Sequence, residues 1–84
     1  MTHALKTWPE FYIDVDKGSK TFEVRKADRP FKVGESLLLQ EWDNVNNCYT
    51  GKECLREITY ILYGGQFGVQ DGFVVMGLKE KDYL

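Results

Sequence analysis

A group of four apolar residues near the start of the chain recurs with the period of an α-helix. They stand at i, i+3, i+4 and i+7, on one helical face: Trp8, Phe11, Tyr12 and Val15. Thr7, Pro9 and Glu10 have the order of a capping box, in which the Thr and Glu side chains bond backbone N–H groups. Gly18 can adopt the left-handed conformation that ends a helix. We therefore predict one helix of about nine residues before Gly18.

After Gly18, apolar and polar residues alternate with the period of a β-strand. With a short strand before the helix, the predicted strands cover residues 3–6, 21–25, 36–42, 54–62 and 73–79. In the second strand, Phe22 and Val24 share one face, while Glu23 and Arg25 share the other. Turn residues at 43–47, 50–52 and 64–65 mark breaks in the later part of the chain. One helix with about five strands predicts an α+β, mainly β fold: a small curved sheet, or a barrel whose closure hides the strand edges.

The length and composition fit one globular domain. The 84 residues are 43% apolar and 14% aromatic, and we expect a single domain over residues 1–84. The longest apolar run, residues 73–77, is too short for a transmembrane helix, and the first residues lack the apolar stretch of a signal peptide. Cys48 and Cys54 could pair across a turn under oxidation. We expect a cytoplasmic protein with reduced thiols and no membrane partner.

The charge is unevenly distributed along the chain, whose formal net charge is −2. Residues 17–32 hold six Lys or Arg residues against two acidic ones, whereas the rest of the chain holds five against eleven. One basic segment in an acidic protein predicts a local anionic partner, such as a nucleotide, a phosphate or a short single strand. Arg29 and Lys32 would contribute to the positive field there. A solvated charged turn is the alternative interpretation.

The basic segment contains one compact group of charged side chains. Glu23 and Arg25 stand two residues apart on a predicted strand, so they project from one face with about 7 Å between their Cα atoms. Lys20 lies in the turn before that strand. A carboxylate between two cations can orient the arginine to bind a phosphate or a base edge through two hydrogen bonds. An exposed ion-pair ladder on a sheet is the alternative.

The same segment resembles a known family. Gly18, Lys20, Glu23 and Arg25 match the spacing of the G-x-K-x-x-E-x-R signature of the ASCH superfamily. Further segments extend the resemblance over nearly the whole chain: residues 5–9, 33–35, 49–51, 58–61, 64–68 and 72–76. Together they are similar to a short bacterial and phage branch of that superfamily, a domain of unknown function. The resemblance implies a PUA-like β-barrel with a helix between its first two strands.

What the resemblance implies for function is a role with RNA. ASCH and PUA-like domains are proposed to hold RNA or a modified base between the helix and the barrel, with the four signature residues at the cleft. A small enzymatic branch removes acetyl groups from acetylated cytidine, and has a threonine at the position that matches Glu23, beside a lysine that matches Lys20. This chain has a carboxylate there, which counts against that chemistry. Lys20 and Glu23 could still activate water.

Two further polar residues are candidates for the same site. If Leu37 points inward, Glu41 lies at the barrel mouth and can share acid and base roles with Glu23; if Leu38 points inward, Glu41 is solvated. Gln66 is the polar side chain of the glycine-rich loop 64–68, whose backbone N–H groups can form an anion-binding nest. It could also read the edge of a base.

Each of several aromatic residues has two interpretations. Trp8 is either a base-stacking platform or a core anchor, and the same holds for Trp42 and Tyr49. Phe67 could stack on a base, but the pattern favours a residue that plugs the barrel. Exposed aromatic side chains near basic ones would favour binding of a single strand.

The sequence offers little for cofactor chemistry. His3, Cys48 and Cys54 lack the spacing of metal ligands, and a single histidine near the barrel mouth supports no Ser-His-Asp or Cys-His arrangement. We expect no metal and no cofactor, and the oligomeric state stays open. Three functions also stay open: an RNA- or nucleotide-binding module, a small hydrolase of a modified nucleoside, and a protein-interaction domain. The candidate ligand contacts are Trp8, Lys20, Glu23, Arg25, Arg29, Lys32, Glu41 and Gln66.

Overall fold

A computed structural model describes residues 1–82 as one helix and five strands. Their bounds are β1 Thr2–Thr7, α1 Pro9–Asp16, β2 Phe22–Lys26, β3 Ser36–Asp43, β4 Cys48–Tyr63 and β5 Phe73–Glu80. The strands form one curled sheet in the order β1-β3-β4-β5-β2, in which β1 runs parallel to β3 and the other pairs are antiparallel. This half-barrel confirms the predicted mainly β, α+β fold. Residues 83 and 84 of the predicted domain lie outside the described residues.

The sheet is open along one side, which we call the seam. β1 and β2 stand at the two ends of the strand order, so the seam separates their free edges. Barrel closure was expected to hide these edges, and in the described residues a side chain from β2 crosses between them instead. Arg25 Nη2 donates to the backbone oxygen of Lys6 at 2.9 Å and to Thr7 Oγ1 at 3.2 Å. An arginine therefore takes part of the role that strand pairing plays in a closed barrel.

The core lies on the concave face of the sheet. Leu37 and Leu39 are fully buried, while Leu38 is only partly covered, so the register with Leu37 inward is the correct one. The other core side chains come from β1, α1, β4 and β5 and from Phe31 in the segment before β3, and the helix packs against β3. Burial of these apolar groups supplies the main favourable free energy of folding.

The helix begins one residue later than a capping box at Thr7 would place it. Trp8 is the N-cap and makes no side-chain capping bond within the described residues, and Pro9 occupies the first helical position. The predicted capping box is therefore wrong, because Thr7 ends β1 as a buried residue whose hydroxyl faces Arg25. The predicted stop is confirmed: Gly18 has a φ of 87°, and its N–H bonds the Val15 oxygen.

The long strand β4 passes through a predicted turn. Residues 50–52 belong to β4, and the register shifts opposite them, between Gln40 and Trp42 of β3. Gly51 has a φ of 93°, so the turn signal in the sequence produces a β-bulge rather than a chain reversal. The true reversal follows Asp43, whose Oδ1 accepts the N–H groups of Val45 and Asn46. The hydrogen bonds from Asn46, followed by that from Val45, hold the pKa of Asp43 below its ordinary value.

Candidate functional site

A buried carboxylate organises the charged cluster beside the seam. Glu23 Oε1 accepts from Lys20 Nζ at 2.8 Å, and Oε2 accepts from Arg25 Nε at 2.9 Å. The Glu23 side chain is 4% exposed, compared with 18% for Lys20 and 25% for Arg25. The predicted group is thus real, but it is an inward-facing ion triad rather than an exposed ladder. Both carboxylate oxygens hold a cation in a fixed position at the edge of the protein.

The backbone explains why the polar face of β2 points inward. Glu23 stands opposite Met76, and Arg25 opposite Val74, in the antiparallel pair of β2 and β5. Met76 and Val74 are core residues, so their cross-strand partners share the concave face. Phe22 and Val24 consequently project outward and are 45% and 50% exposed. Glu23 and Arg25 therefore point inward from an edge strand. The open seam beside that strand still gives the outer atoms of the Arg25 side chain access to water.

An aromatic recess lies over this triad. It has a volume of about 800 Å³, and its aromatic walls are Trp8, Phe11, Phe22 and Phe73. Trp8 and Phe11 are about half exposed, and their rings stack with centroids 6.5 Å apart at an angle of 25°. The Lys20 ammonium lies 5.1 Å from the Phe22 ring centroid. Of the helical face that was predicted to be apolar, only Tyr12 and Val15 are buried, so Trp8 is a wall of this recess and not a core anchor.

A smaller basic recess lies on the other side of the hydrogen bonds by which Arg25 spans the seam. It has a volume of about 370 Å³ and is lined by the cations Lys6, Arg25, Lys26 and Arg29. Among the described residues, Asp28 is the acidic residue in the lining of this recess. Lys6 and Arg25 line both recesses, so the two are neighbours along the seam, and we call them together the groove. The groove is positively charged although the protein carries a net charge of −2.

The structure brings together five of the eight predicted site residues. Four line the aromatic recess, namely Trp8, Lys20, Glu23 and Arg25. Arg29 lines the basic recess, which Arg25 also lines.

Lys32, Glu41 and Gln66 line neither recess in the described part of the chain. Lys32 is exposed, and its backbone N–H bonds Glu35. Glu41 accepts a hydrogen bond from Thr50 at 2.7 Å, and it is not among the described residues that line the recess with Glu23. Gln66 donates to the Tyr63 oxygen and bridges Val69 within its own hairpin, which serves the loop rather than the groove.

Sequence reasoning missed Lys6 and Phe11 as groove residues. The Lys6 ammonium lies 3.9 Å from the centroid of the Trp42 ring, which in turn meets Tyr49 edge-on at 4.9 Å. The alternation of β1 could have placed Lys6 on its exposed face, but its distance from Arg25 along the chain hides their contact. The interpretation of Phe67 as a barrel plug is wrong, because its side chain is 86% exposed at the tip of the β4–β5 hairpin.

His3 and the two cysteines lie apart from the groove. His3 is buried, and its Nε2 lies 2.9 Å from Glu35 Oε1. This hydrogen bond, followed by the one from the Lys32 N–H, holds the pKa of Glu35 below its ordinary value. Burial raises the pKa of the Cys54 thiol, whereas Cys48 is exposed. Among residues 1–82, no group of His, Cys, Asp and Glu side chains is arranged to hold a metal ion, and no helix could cross a membrane.

These features define a small half-barrel domain with a ligand-sized groove along an open seam. Residues 2–78 match the family model described as "Domain of unknown function (DUF3850)", so the chain belongs to that family. It is also similar to the "Uncharacterized 12.9 kDa protein in GpA 3'region" of Escherichia phage P2, with 35% identity over 57 residues. The aligned part covers 68% of this chain and 50% of that relative, so the chain spans about half the relative's length.

Proposed function

We propose that the protein binds single-stranded RNA or a nucleotide by inserting a base into the aromatic recess. One observation carries this proposal: half-exposed aromatic rings stand beside Lys20 and Arg25, two cations that the buried Glu23 holds in place. Aromatic platforms next to positive charge are the common solution for binding an unpaired base and its backbone.

The exposed rings provide the stacking surface. Trp8, Phe11 and Phe22 each leave about half of their surface in water although they lie beside one another, and water contact with apolar surface is unfavourable. A base that enters the recess would remove this surface from water. A stacked base contributes about 1–3 kcal/mol to binding in other single-strand complexes.

The cations provide directional contacts to the ligand. Among the described residues, the hydrogen bonds of Arg25 use Nε and Nη2, so the Nη1 N–H groups can donate to a base edge or a phosphate. Lys20 commits one bond to Glu23 and has further N–H groups for a ligand. Gly18, Lys20, Glu23 and Arg25 are also the positions that resemble the ASCH signature, and that resemblance implies an RNA ligand at this cleft.

The geometry favours binding over hydrolysis. A carboxylate that acts as a general base needs an oxygen that is free to take a proton from water. Both Glu23 oxygens accept from cations, and the side chain is buried. Glu23 is therefore better suited to position Lys20 and Arg25 than to activate a nucleophile. If the protein instead serves to bind another protein, we expect it to have no affinity for RNA.

A titration with short mixed-sequence single-stranded RNA at low salt tests the proposal. We expect Trp8→Ala and Lys20→Ala each to weaken binding about tenfold or more, in line with the loss of one stacked base or one ionic contact. Phe67→Ala is the matched control, since it removes an exposed aromatic residue outside the groove and should bind normally. Absence of RNA binding by the unaltered protein, or normal binding by both groove variants, would overturn the proposal.

A further inference from the structure

The basic recess has the composition of a phosphate site. Four cations line a small volume, and the carboxylate of Asp28 is the one negative charge that the described residues contribute to that lining. Asp28 engages Arg29 at 3.8 Å, but the two side chains are 63% and 40% exposed, so this ion pair is weak. Arg25 and Arg29 each carry the planar guanidinium that can bind a phosphate with two parallel hydrogen bonds.

Its cations are mounted on fixed backbone. Arg29 lies between two anchored residues: the Ala27 N–H bonds the Gly72 oxygen at 2.8 Å, and Phe31 is buried with its N–H on the Arg29 oxygen. The Arg29 guanidinium lies 5.9 Å from the Phe31 ring centroid. Lys6 is held over Trp42 by its charge, which leaves its N–H groups for an anion. The backbone that carries Arg29 and the Lys6 ammonium are therefore already in place at the recess before an anion binds.

The position of this recess relates it to the aromatic recess. Arg25 and Lys6 line both, so a ligand that fills the two passes directly over the Arg25–Lys6 bridge. The aromatic recess offers stacking surface, whereas the basic recess offers charge. A nucleotide has this division of chemistry, with a flat apolar base at one end and an anionic phosphate at the other.

We propose that the basic recess binds the phosphate attached to the nucleotide whose base occupies the aromatic recess. This inference rests on the proposed function and specifies the ligand. The ligand is a nucleotide or a single-stranded RNA, and not a free nucleoside without phosphate. Lys26 and Arg29 are the residues specific to the phosphate, while Arg25 contacts both parts. The phosphate supplies the salt-dependent part of the affinity.

The test compares each of the four ribonucleosides with its 5′- and 3′-monophosphate, and then a short single-stranded RNA. The protein variants are Lys26→Ala/Arg29→Ala and a control, Lys52→Ala/Lys79→Ala. The control makes the same change in net charge at two exposed lysines that do not line the basic recess.

We expect the unaltered protein to bind at least one monophosphate about tenfold more tightly than its nucleoside, and the preferred 5′ or 3′ form to identify which phosphate is bound. The Lys26→Ala/Arg29→Ala variant should lose this preference and bind RNA with a weaker salt dependence, while the control keeps both. If that variant keeps the preference while Trp8→Ala loses binding, the phosphate site is wrong and the proposed function stands. If the unaltered protein binds neither nucleotides nor RNA, both fail.

Discussion

Arg25 and Lys6 join the two free edges of the sheet through one hydrogen bond, from the guanidinium Nη2 to a backbone oxygen at 2.9 Å. The same guanidinium bonds Glu23 through Nε, so one side chain connects the buried carboxylate, the far strand and both recesses. Structure and proposed binding therefore depend on the same residue. This overlap means that stability and affinity have to be measured separately.

Arg25→Lys should destabilise the protein by about 1–2 kcal/mol, because a lysine keeps the charge but cannot bond Glu23 and the β1 edge together. Urea denaturation measures this change. Lys26→Ala is the control, since Lys26 is an exposed neighbour on the same strand and its loss should change the stability by less than about 0.5 kcal/mol. Equal stability of Arg25→Lys and the unaltered protein would show that the bridge across the seam is not structural.

Arg56 holds the end of the helix against the sheet. Its Nη2 donates to the Val15 oxygen at 3.0 Å and reaches the Asp16 oxygen at 3.4 Å, both at the helix C-terminus, where backbone oxygens lack partners within the helix. Arg56→Ala should cost about 1–2 kcal/mol in the free energy of unfolding. Lys52→Ala, a loss of one exposed cation on the same strand, should leave the urea midpoint nearly unchanged. A similar midpoint for both variants would contradict this role of Arg56.

The pair of His3 and Glu35 predicts a loss of stability in acid. The folded state lowers the pKa of Glu35 below its ordinary value of 4.5, chiefly through the hydrogen bond with His3. Its contribution is therefore present above pH about 4.5 and is lost as the pH falls through the lower pKa of the folded state.

Urea midpoints measured from pH 6 to pH 3 check this dependence. Glu35→Gln should lower the stability at pH 6 and flatten the curve, whereas Glu80→Gln, a change at an exposed carboxylate, should keep the curve of the unaltered protein. An unchanged slope in Glu35→Gln would show that other groups cause the acid sensitivity.

The two thiols should react at very different rates. Cys48 is exposed, while Cys54 is buried and burial raises its pKa, so little nucleophilic thiolate forms there. A colorimetric thiol reagent should therefore label one cysteine in the folded protein and both in denaturant. Cys48→Ser should abolish the fast phase. Rapid labelling of two thiols in the native state would contradict the burial of Cys54.

The sequence patterns identified the elements because they are local. Alternation located the strands, and Gly18 located the end of the helix. The 50–52 segment was misjudged because a left-handed glycine serves a bulge as well as a turn, and the difference depends on the partner strand. Local spacing was likewise sufficient to group Lys20, Glu23 and Arg25, which lie within six residues of one another.

The remainder of the groove depends on contacts between distant residues. Lys6 and Thr7 meet Arg25 only because β1 and β2 become the two edges of one curled sheet, and no local pattern encodes that topology. The exposure of Trp8 has the same origin: helical spacing places it on the apolar face, but at the seam no strand of residues 1–82 covers it. Open edges of a fold are where periodicity is least informative about burial.

The central claim is that the seam groove binds RNA, and an amide NMR titration with short mixed-sequence single-stranded RNA at low salt tests it most directly. Shifts concentrated at Trp8, Lys20, Glu23 and Arg25 are the predicted result, with the hairpin around Phe67 unaffected. A parallel titration with acetylated cytidine should give weaker shifts and no turnover. Absence of RNA-induced shifts in the groove, or shifts confined to the hairpin, would contradict the account.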